Sequence, residues 1–114
     1  MTGRRLRLGA SGEAQAAAWY EANGYRVLAR NWRCREGELD LVLARGSMVV
    51  FCEVKTRTTD AFGVPAEAVT VAKQRKLRVL AARWLDQAPV RPRDIRFDVA
   101  AVLGGRLEVL EGAF

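Results

Sequence analysis

The stretch that decides the fold is Glu38-Leu-Asp-Leu-Val-Leu-Ala-Arg-Gly-Ser-Met-Val-Val-Phe-Cys-Glu-Val-Lys-Thr-Arg57. Side chains alternate with a period of two on both sides of Gly46-Ser47. Strict alternation around a Gly-Ser pair is typical of a β-hairpin. The apolar runs within both strands also predict that the hairpin lies in the centre of a sheet rather than at its edge.

The position of the turn sets the register of this hairpin. A two-residue turn at Gly46-Ser47 places Asp40 directly opposite Glu53. The same register places Glu38 opposite Lys55. Directly opposed side chains lie on one face of a sheet, with their Cβ atoms about 4.5–5.5 Å apart. A three-residue turn would shift the register and separate these pairs.

Two opposed carboxylates beside an amine suit metal-dependent phosphodiester hydrolysis. Asp40 and Glu53 would repel each other unless a cation lay between them, and hard cations such as Mg²⁺ prefer carboxylate oxygens. A bound ion polarises the phosphate and activates a water, while the Lys55 amine stabilises developing negative charge. The alternative is a surface strand with a cross-strand ion pair. Charged side chains are rarely buried in central strands without a task.

The composition predicts one globular domain over residues 1–114 with a single core, since 114 residues are too few for two. No apolar run reaches membrane-spanning length, and no signal-peptide pattern is present, so no membrane partner is expected. The lack of histidine excludes a zinc site, a Ser-His-Asp triad and a histidine base, leaving oxygen ligands for any metal. Cys34 and Cys52 are expected to be free thiols in a reducing cytoplasm, with Cys52 in the core.

The charge distribution indicates a polyanionic partner. Residues 1–35 carry seven bases and two acids, a net +5. Residues 36–70 carry three bases and six acids, a net −3, and residues 71–114 carry nine bases and five acids, a net +4. A basic frame attracts DNA and an acidic centre attracts a metal ion. The alternative is a small scaffold protein whose basic charge serves only solubility.

The rest of the chain predicts an α/β fold of order α-β-β-β-α-β-β, in which a central mixed sheet is flanked by helices. Residues 1–8 are expected to be frayed. The predicted elements are a helix over 12–23 capped by Ser11, a strand over 25–31, a basic loop over 32–37, the hairpin, a polar loop over 58–65, a helix over 71–87 capped by Thr70, and strands over 95–103 and 106–110. The polar loop adjoins Lys55 and is a candidate substrate flap or a plain connector.

Helical spacing predicts which faces of the two helices are buried. The first helix should bury its small side chains, namely Ala14, Ala17 and Ala18 with Trp19 or Tyr20. The second should bury Leu77, Leu80, Ala81, Trp84 and Leu85. Two polar residues are ambiguous. Glu13 suits the dipole of a first helical turn, and Gln74 points inward, either toward a site or toward backbone that it bonds.

Several strings resemble the bacterial YraN family, UPF0102: Gly37-Glu-Leu-Asp-Leu41, Phe51-Cys-Glu-Val-Lys-Thr-Arg57, Ala66-Glu-Ala-Val69 and Phe97-Asp-Val99. Asp40 followed by Glu53-Val-Lys55 also resembles the PD-(D/E)xK nuclease signature. The element order resembles the restriction-endonuclease-like core of that superfamily. The resemblance covers nearly the whole chain. Leu39 stands where the signature has proline, and Cys52 replaces a more usual aliphatic residue.

The similarity to archaeal Holliday-junction resolvases implies roles for these residues. Asp40 and Glu53, completed by Glu13, would be ligands of Mg²⁺ or Mn²⁺, and Lys55 would be the catalytic lysine. Residues near the site that would contact nucleic acid or support the ligands are Glu38, Arg57 and Gln74. The implied activity is that of a metal-dependent endonuclease acting on DNA, branched DNA in particular, with a homodimer supplying two sites. The alternative is a non-catalytic nucleic-acid-binding or adaptor module on the same fold.

Overall fold

The computed structural model describes residues 2–57 and 69–114, with side chains from residue 12 onward. Its elements are α1 (Thr2–Ala22), β1 (Arg26–Cys34), β2 (Gly37–Arg45), β3 (Met48–Arg57), α2 (Val71–Gln87), β4 (Asp94–Leu103) and β5 (Arg106–Leu110). This is the predicted order, and α2 and β5 have the predicted bounds. The predicted polar loop over 58–65 lies outside the described residues.

The described strands form one mixed sheet in the order β1-β2-β3-β4-β5. β3 and β4 pair in parallel, and the other neighbouring strands pair antiparallel. The parallel pair requires a crossover connection, which contains α2. The α/β class and the central position of the hairpin are therefore confirmed. In the part of the chain that the structure describes, no helix is long and apolar enough to cross a membrane.

The two helices cover opposite faces of the sheet. Successive side chains of a strand point to opposite faces, and β3 accordingly contributes to two core clusters. Val49 and Phe51 pack in the cluster that includes the buried stripe of α2. Val50 and Cys52 pack in the cluster that includes α1. The buried side chains of α2 are Leu77, Leu80, Ala81 and Trp84, as the helical spacing predicts.

Helix α1 begins at Thr2, well before the predicted start, so Ser11 is not its N-cap. It includes most of the segment 1–8 that was expected to be frayed. The early glycines suggested a helix boundary, but an interior glycine costs only about 1 kcal/mol relative to alanine, and tertiary context overrides such preferences. No proline interrupts residues 2–22. The prediction of the helix start was therefore wrong.

The buried face of α1 also differs from the predicted one. Ala17 and Tyr20 are buried as predicted, but Ala16 joins them, while Ala14 and Ala18 are exposed. Gly12 sets this orientation, because a Cβ atom at that position would overlap Thr56 Oγ1 on β3. A glycine allows the backbone of α1 to approach β3 where a side chain would hold it away.

Strand β1 continues to Cys34, so the first half of the predicted basic loop over 32–37 is strand. Trp32 pairs with Leu39 of β2, and both contribute to the cluster on the α2 side. The arginines on either side of Trp32 suggested a solvent-exposed loop. β1 lies at the edge of the described sheet, where alternating charged side chains are tolerated.

Both cysteines are free thiols, as predicted. Cys52 is 3 % exposed and lies in the core on the α1 side. Burial raises the pKa of its thiol to about 12. Cys52 is therefore a packing residue rather than a reactive one.

Candidate functional site

The pairing of β2 with β3 ends beside the candidate site. Its register runs from Arg45–Met48 to Leu41–Cys52, which confirms the two-residue turn. One step beyond the last pair, the backbone N–H of Val54 donates a hydrogen bond of 2.8 Å to Asp40 Oδ2. The Asp40 side chain thus accepts a hydrogen bond from β3 beyond the end of the backbone pairing between β2 and β3. This bond fixes the carboxylate at the open end of the hairpin.

Three carboxylates converge at this end of the hairpin. One oxygen from each of Glu13, Glu38 and Asp40 lies within 4.8 Å of the other two. α1 supplies Glu13 and β2 supplies the other two residues. Gly12 precedes Glu13 and packs against Thr56 of β3, which brings α1 within reach of the hairpin. All three side chains are half-buried. Such a set of oxygen donors suits a hard divalent cation.

The electrostatics of Asp40 reflect this crowding. Burial raises the pKa of Asp40 to about 7, and the negative charge of Glu53 is the next largest cause. Glu13 and Glu38 raise the pKa further, while the hydrogen bond from Val54 opposes the shift. Asp40 and Glu53 are therefore close enough to repel each other. A cation between the carboxylates would relieve that repulsion and favour the ionised form of Asp40.

Glu53 forms ion pairs with two lysines and is not one of the three converging carboxylates. Lys55 Nζ lies 3.3 Å and Lys73 Nζ lies 3.4 Å from the same atom, Glu53 Oε1. The side chains of Glu53 and Lys55 are 11 % and 14 % exposed, whereas that of Lys73 is 38 % exposed. Lys55 follows Glu53 by two residues on β3, and Lys73 reaches it from the first turn of α2.

The two lysines differ in how firmly they hold their protons. Burial lowers the pKa of Lys55, and the neighbouring Lys73 lowers it further against the attraction of Glu53. Burial also acts to lower the pKa of Lys73, but the proximity of Lys55 and the attraction of Glu53 raise it overall. Lys73 is thus the more persistently charged member of the pair.

The remaining predicted residues lie around this centre. Glu38 forms an ion pair of 3.1 Å with exposed Arg33 in addition to its approach to Asp40. Gln74 Nε2 donates to the Val69 carbonyl at 3.1 Å, which matches the backbone-bonding alternative for this amide. Arg57 is exposed at the end of β3, where its guanidinium donates to the Thr56 carbonyl.

Sequence reasoning missed Lys73. A small cleft of about 110 Å³ lies between the hairpin and α2, and its lining is formed by Glu38, Glu53, Lys73, Lys76, Leu77 and Leu80. Lys73 lies four residues before buried Leu77, which places it on the same side of the helix one turn earlier. That spacing, together with the position of α2 beside β3, is the signal that identifies it.

A buried polar cluster elsewhere in the core was also missed. Asp98 is fully buried and accepts hydrogen bonds from the Tyr20 hydroxyl at 2.6 Å and the Gly112 N–H at 3.0 Å. The guanidinium of Arg96 donates to both Asp98 oxygens, at 2.8 and 2.9 Å. These partners compensate the burial of the charge. The cluster ties α1, β4 and the C-terminal turn together, and an aspartate inside the apolar run 97–102 is its sequence signal.

Comparison with known proteins shows to which family the chain belongs. The model of the family described as "Uncharacterised protein family UPF0102" matches residues 12–102. The chain belongs to this family. A UPF0102 protein of Mycolicibacterium vanbaalenii is 54 % identical over 113 residues, covering 97 % of this chain and 93 % of the relative. The corresponding protein of Beutenbergia cavernae is 52 % identical over 110 residues, covering 92 % and 93 %.

A more distant relative matches over its full length. The UPF0102 protein of Moorella thermoacetica is 47 % identical over 120 residues and is covered completely, as is this chain. The family predicted from the short strings is therefore confirmed. The matched region, residues 12–102, includes Glu13, the hairpin and Lys73.

Proposed function

We propose that this UPF0102 protein is a divalent-metal-dependent endonuclease that hydrolyses DNA phosphodiesters, with branched DNA among its candidate substrates. The proposal includes a restriction-endonuclease-like core. The observation that carries it is the convergence of Glu13, Glu38 and Asp40 beside Glu53, which is in turn contacted by two lysines. Negative groups for a metal and positive groups for a phosphate thus stand side by side.

The donor set fits Mg²⁺ or Mn²⁺. It consists of carboxylates, which these hard cations prefer, and the burial and charge repulsion that together raise the pKa of Asp40 favour a counter-charge at this point. Asp40 and Glu53 would hold the ion, with Glu13 and Glu38 as neighbouring oxygen donors. When bound, the ion polarises the phosphate and lowers the pKa of a coordinated water.

Contacts within the chain hold the proposed ligand and the catalytic lysine in place. The Val54 N–H holds the Asp40 carboxylate at 2.8 Å, so a ligand oxygen is preset before any substrate arrives. Lys55 is held at 3.3 Å from Glu53, where its ammonium would stabilise negative charge developing on a bound phosphate. Preorganised groups of this kind act most strongly in the transition state, because they do not have to reorient during the reaction.

The distribution of charge supports DNA as the substrate. The basic flanks, net +5 over residues 1–35 and +4 over residues 71–114, surround an acidic centre. Exposed arginines lie on β1 at positions 26, 30 and 33, and Arg75 is exposed on α2. Exposed arginines attract phosphates without reading base sequence. Binding is therefore expected to depend on DNA charge and shape.

Site variants should separate metal capture from turnover. Asp40→Asn and Glu53→Gln are expected to abolish cleavage, because each removes a ligand charge. Lys55→Ala should keep metal binding while cleavage slows by about 10²–10³-fold, the usual loss for one electrostatic donor. Glu13→Gln should give an intermediate loss. The measurement is single-turnover cleavage of linear, flapped and four-way DNA with Mg²⁺, Mn²⁺ or a chelator.

The matched control is Asp86→Asn, which removes an exposed carboxylate from the far end of α2 and should cut at the wild-type rate. Wild-type protein that binds DNA well but cuts none of the substrates with either metal would favour the binding-module alternative. A Lys55→Ala variant that cuts as fast as wild type would point to a contaminating nuclease.

A further inference from the structure

Two ammonium groups share one oxygen of Glu53. Lys55 Nζ and Lys73 Nζ lie 3.3 and 3.4 Å from Glu53 Oε1. A carboxylate paired with two lysines is a weaker metal ligand, because an incoming dication is repelled by the two positive charges beside it. Movement of one ammonium group away from Glu53 would therefore favour metal binding there.

The geometry identifies Lys73 as the group that moves. Lys55 shares a strand with Glu53, and its side chain is only 14 % exposed. Lys73 stands on a different element, is 38 % exposed and lines the cleft between the hairpin and α2. The flexible side chain of Lys73 is open to solvent, so its ammonium can turn into this cleft while the backbone of α2 stays in place.

We infer that Lys73 is a positioning residue that holds Glu53 before the metal binds and then releases it to contact a phosphate of the nucleic acid. The inference rests on the proposed function and adds a residue and an order of events to it. Release of Lys73 by the cation makes a positive charge available only when the metal is present. Metal binding and phosphate binding are thereby coupled through one side chain.

The first test measures metal binding without DNA. Titration calorimetry with Mn²⁺ alone should show that Lys73→Met lowers the Kd roughly three- to tenfold, because a competing cation has been removed. Lys73→Arg retains the charge and should bind Mn²⁺ like wild type. Arg75→Met is the matched control, since it removes an exposed cation from the same helix outside the cleft and should change the Kd less than about twofold.

The second test measures DNA binding in a Lys55→Ala background, in which cleavage is slow. With Mn²⁺, adding Lys73→Met should weaken binding of a fluorescent duplex and reduce the slope of log Kd against log salt by about one. With chelator, the same substitution should change affinity much less, because Lys73 is then engaged by Glu53. Fluorescence anisotropy over a salt series provides both values.

The outcomes distinguish this inference from the function on which it rests. Wild type that binds Mn²⁺, with a Lys73→Met variant of equal or weaker Mn²⁺ affinity, would overturn the role of Lys73 and leave the metal site standing. A DNA affinity that falls equally with Mn²⁺ and with chelator would also overturn it, since Lys73 would then be an ordinary phosphate contact. Wild type that binds no Mn²⁺ would overturn both proposals.

Discussion

Asp40 is stabilised poorly in its ionised form, because burial and the charge of Glu53 raise its pKa to about 7. Its pKa in an unfolded chain is about 3.9. Between these two pH values, folded Asp40 holds a proton that unfolded Asp40 has lost. Relative to the ionised form, this proton contributes stability to the folded state. This contribution is complete below about pH 4 and is lost as the pH rises through 7. Above pH 7 the folded protein carries a crowded, partly buried charge.

Asp40→Asn should therefore make the protein more stable at high pH. Asparagine removes the charge and keeps an oxygen that accepts the Val54 N–H, so the free energy of unfolding at pH 8 should rise. A gain of about 1–2 kcal/mol is expected, well below the value of the full pKa shift, because solvent screens a half-buried group. Urea denaturation at pH 8 and pH 5 without divalent ions measures it, and the gain should be much smaller at pH 5.

The exposed carboxylate of Asp86 provides the control for this measurement. Asp86→Asn should alter stability by less than about 0.5 kcal/mol at either pH. An Asp40→Asn variant that is less stable than wild type at pH 8 would show that the Asp40 charge is already compensated. In that case the crowding of carboxylates would not be a reason to expect a cation here.

At the residue scale, the sequence predicted the carboxylates better than the cations. The two-residue turn was enough to set the register of the hairpin, but strand pairing ends at Leu41–Cys52, one pair short of the predicted Asp40–Glu53 pair. Lys73 was missed, since its contact depends on how α2 lies across β3, and helical spacing alone does not give that. Asp98 was missed as a buried charge, because its compensating partners, Tyr20 and Arg96, come from different parts of the chain.

At the element scale, the position of α1 decides whether Glu13 reaches the site. Gly12→Ala should destabilise the protein by about 1 kcal/mol, even though alanine is the better helix former by a similar amount. The cause is overlap of the new methyl group with Thr56 Oγ1. The same variant should weaken Mn²⁺ binding, because Glu13 follows residue 12. Urea denaturation and titration calorimetry measure the two effects.

A second substitution tests this contact directly. Removing the Thr56 hydroxyl in Gly12→Ala/Thr56→Ala should restore most of the lost stability, while Thr56→Ala alone supplies the reference for a double-mutant cycle. Equal stability losses in Gly12→Ala and in the double variant would show that the two positions do not couple. The close approach of α1 to β3 would then not be what brings Glu13 to the hairpin.

The elements themselves were predicted with uneven success. Helix α2 and strand β5 were predicted with the bounds that the structure has, because Thr70 caps the helix and a Gly-Gly pair precedes the strand. Helix α1 was predicted to begin too late, because its early glycines suggested a boundary, and Ala14 and Ala18 were predicted to be buried but are exposed. β1 was predicted to end too early, because its arginines suggested a loop although Trp32 and Cys34 pack against the core.

At the scale of the whole molecule, the net charge of +6 predicts salt-sensitive and largely sequence-independent DNA binding. The logarithm of the association constant should fall linearly with the logarithm of salt concentration, by about 0.9 for each phosphate contacted on duplex DNA. Anisotropy titrations of two duplexes with unrelated sequences should give the same slope. A flat response would indicate that the basic charge serves solubility only.

The homodimer expected for symmetric cutting stays a prediction. The apolar residues of the C-terminal segment that could form an interface are half-buried against the two core clusters within one chain, namely Leu107, Val109, Leu110 and Phe114. Part of their apolar surface is thus already used in folding. A second protomer would have to cover what remains.

The measurement that tests the central claim most directly is a crystal structure of the protein soaked in Mn²⁺, with anomalous density recorded near the manganese edge. We expect a peak bonded to carboxylate oxygens of Asp40 and of at least one of Glu13, Glu38 and Glu53, and its loss in Asp40→Asn crystals. A well-ordered site with no anomalous peak at saturating Mn²⁺, or a peak that persists in Asp40→Asn, would contradict the claim that these carboxylates form a metal centre.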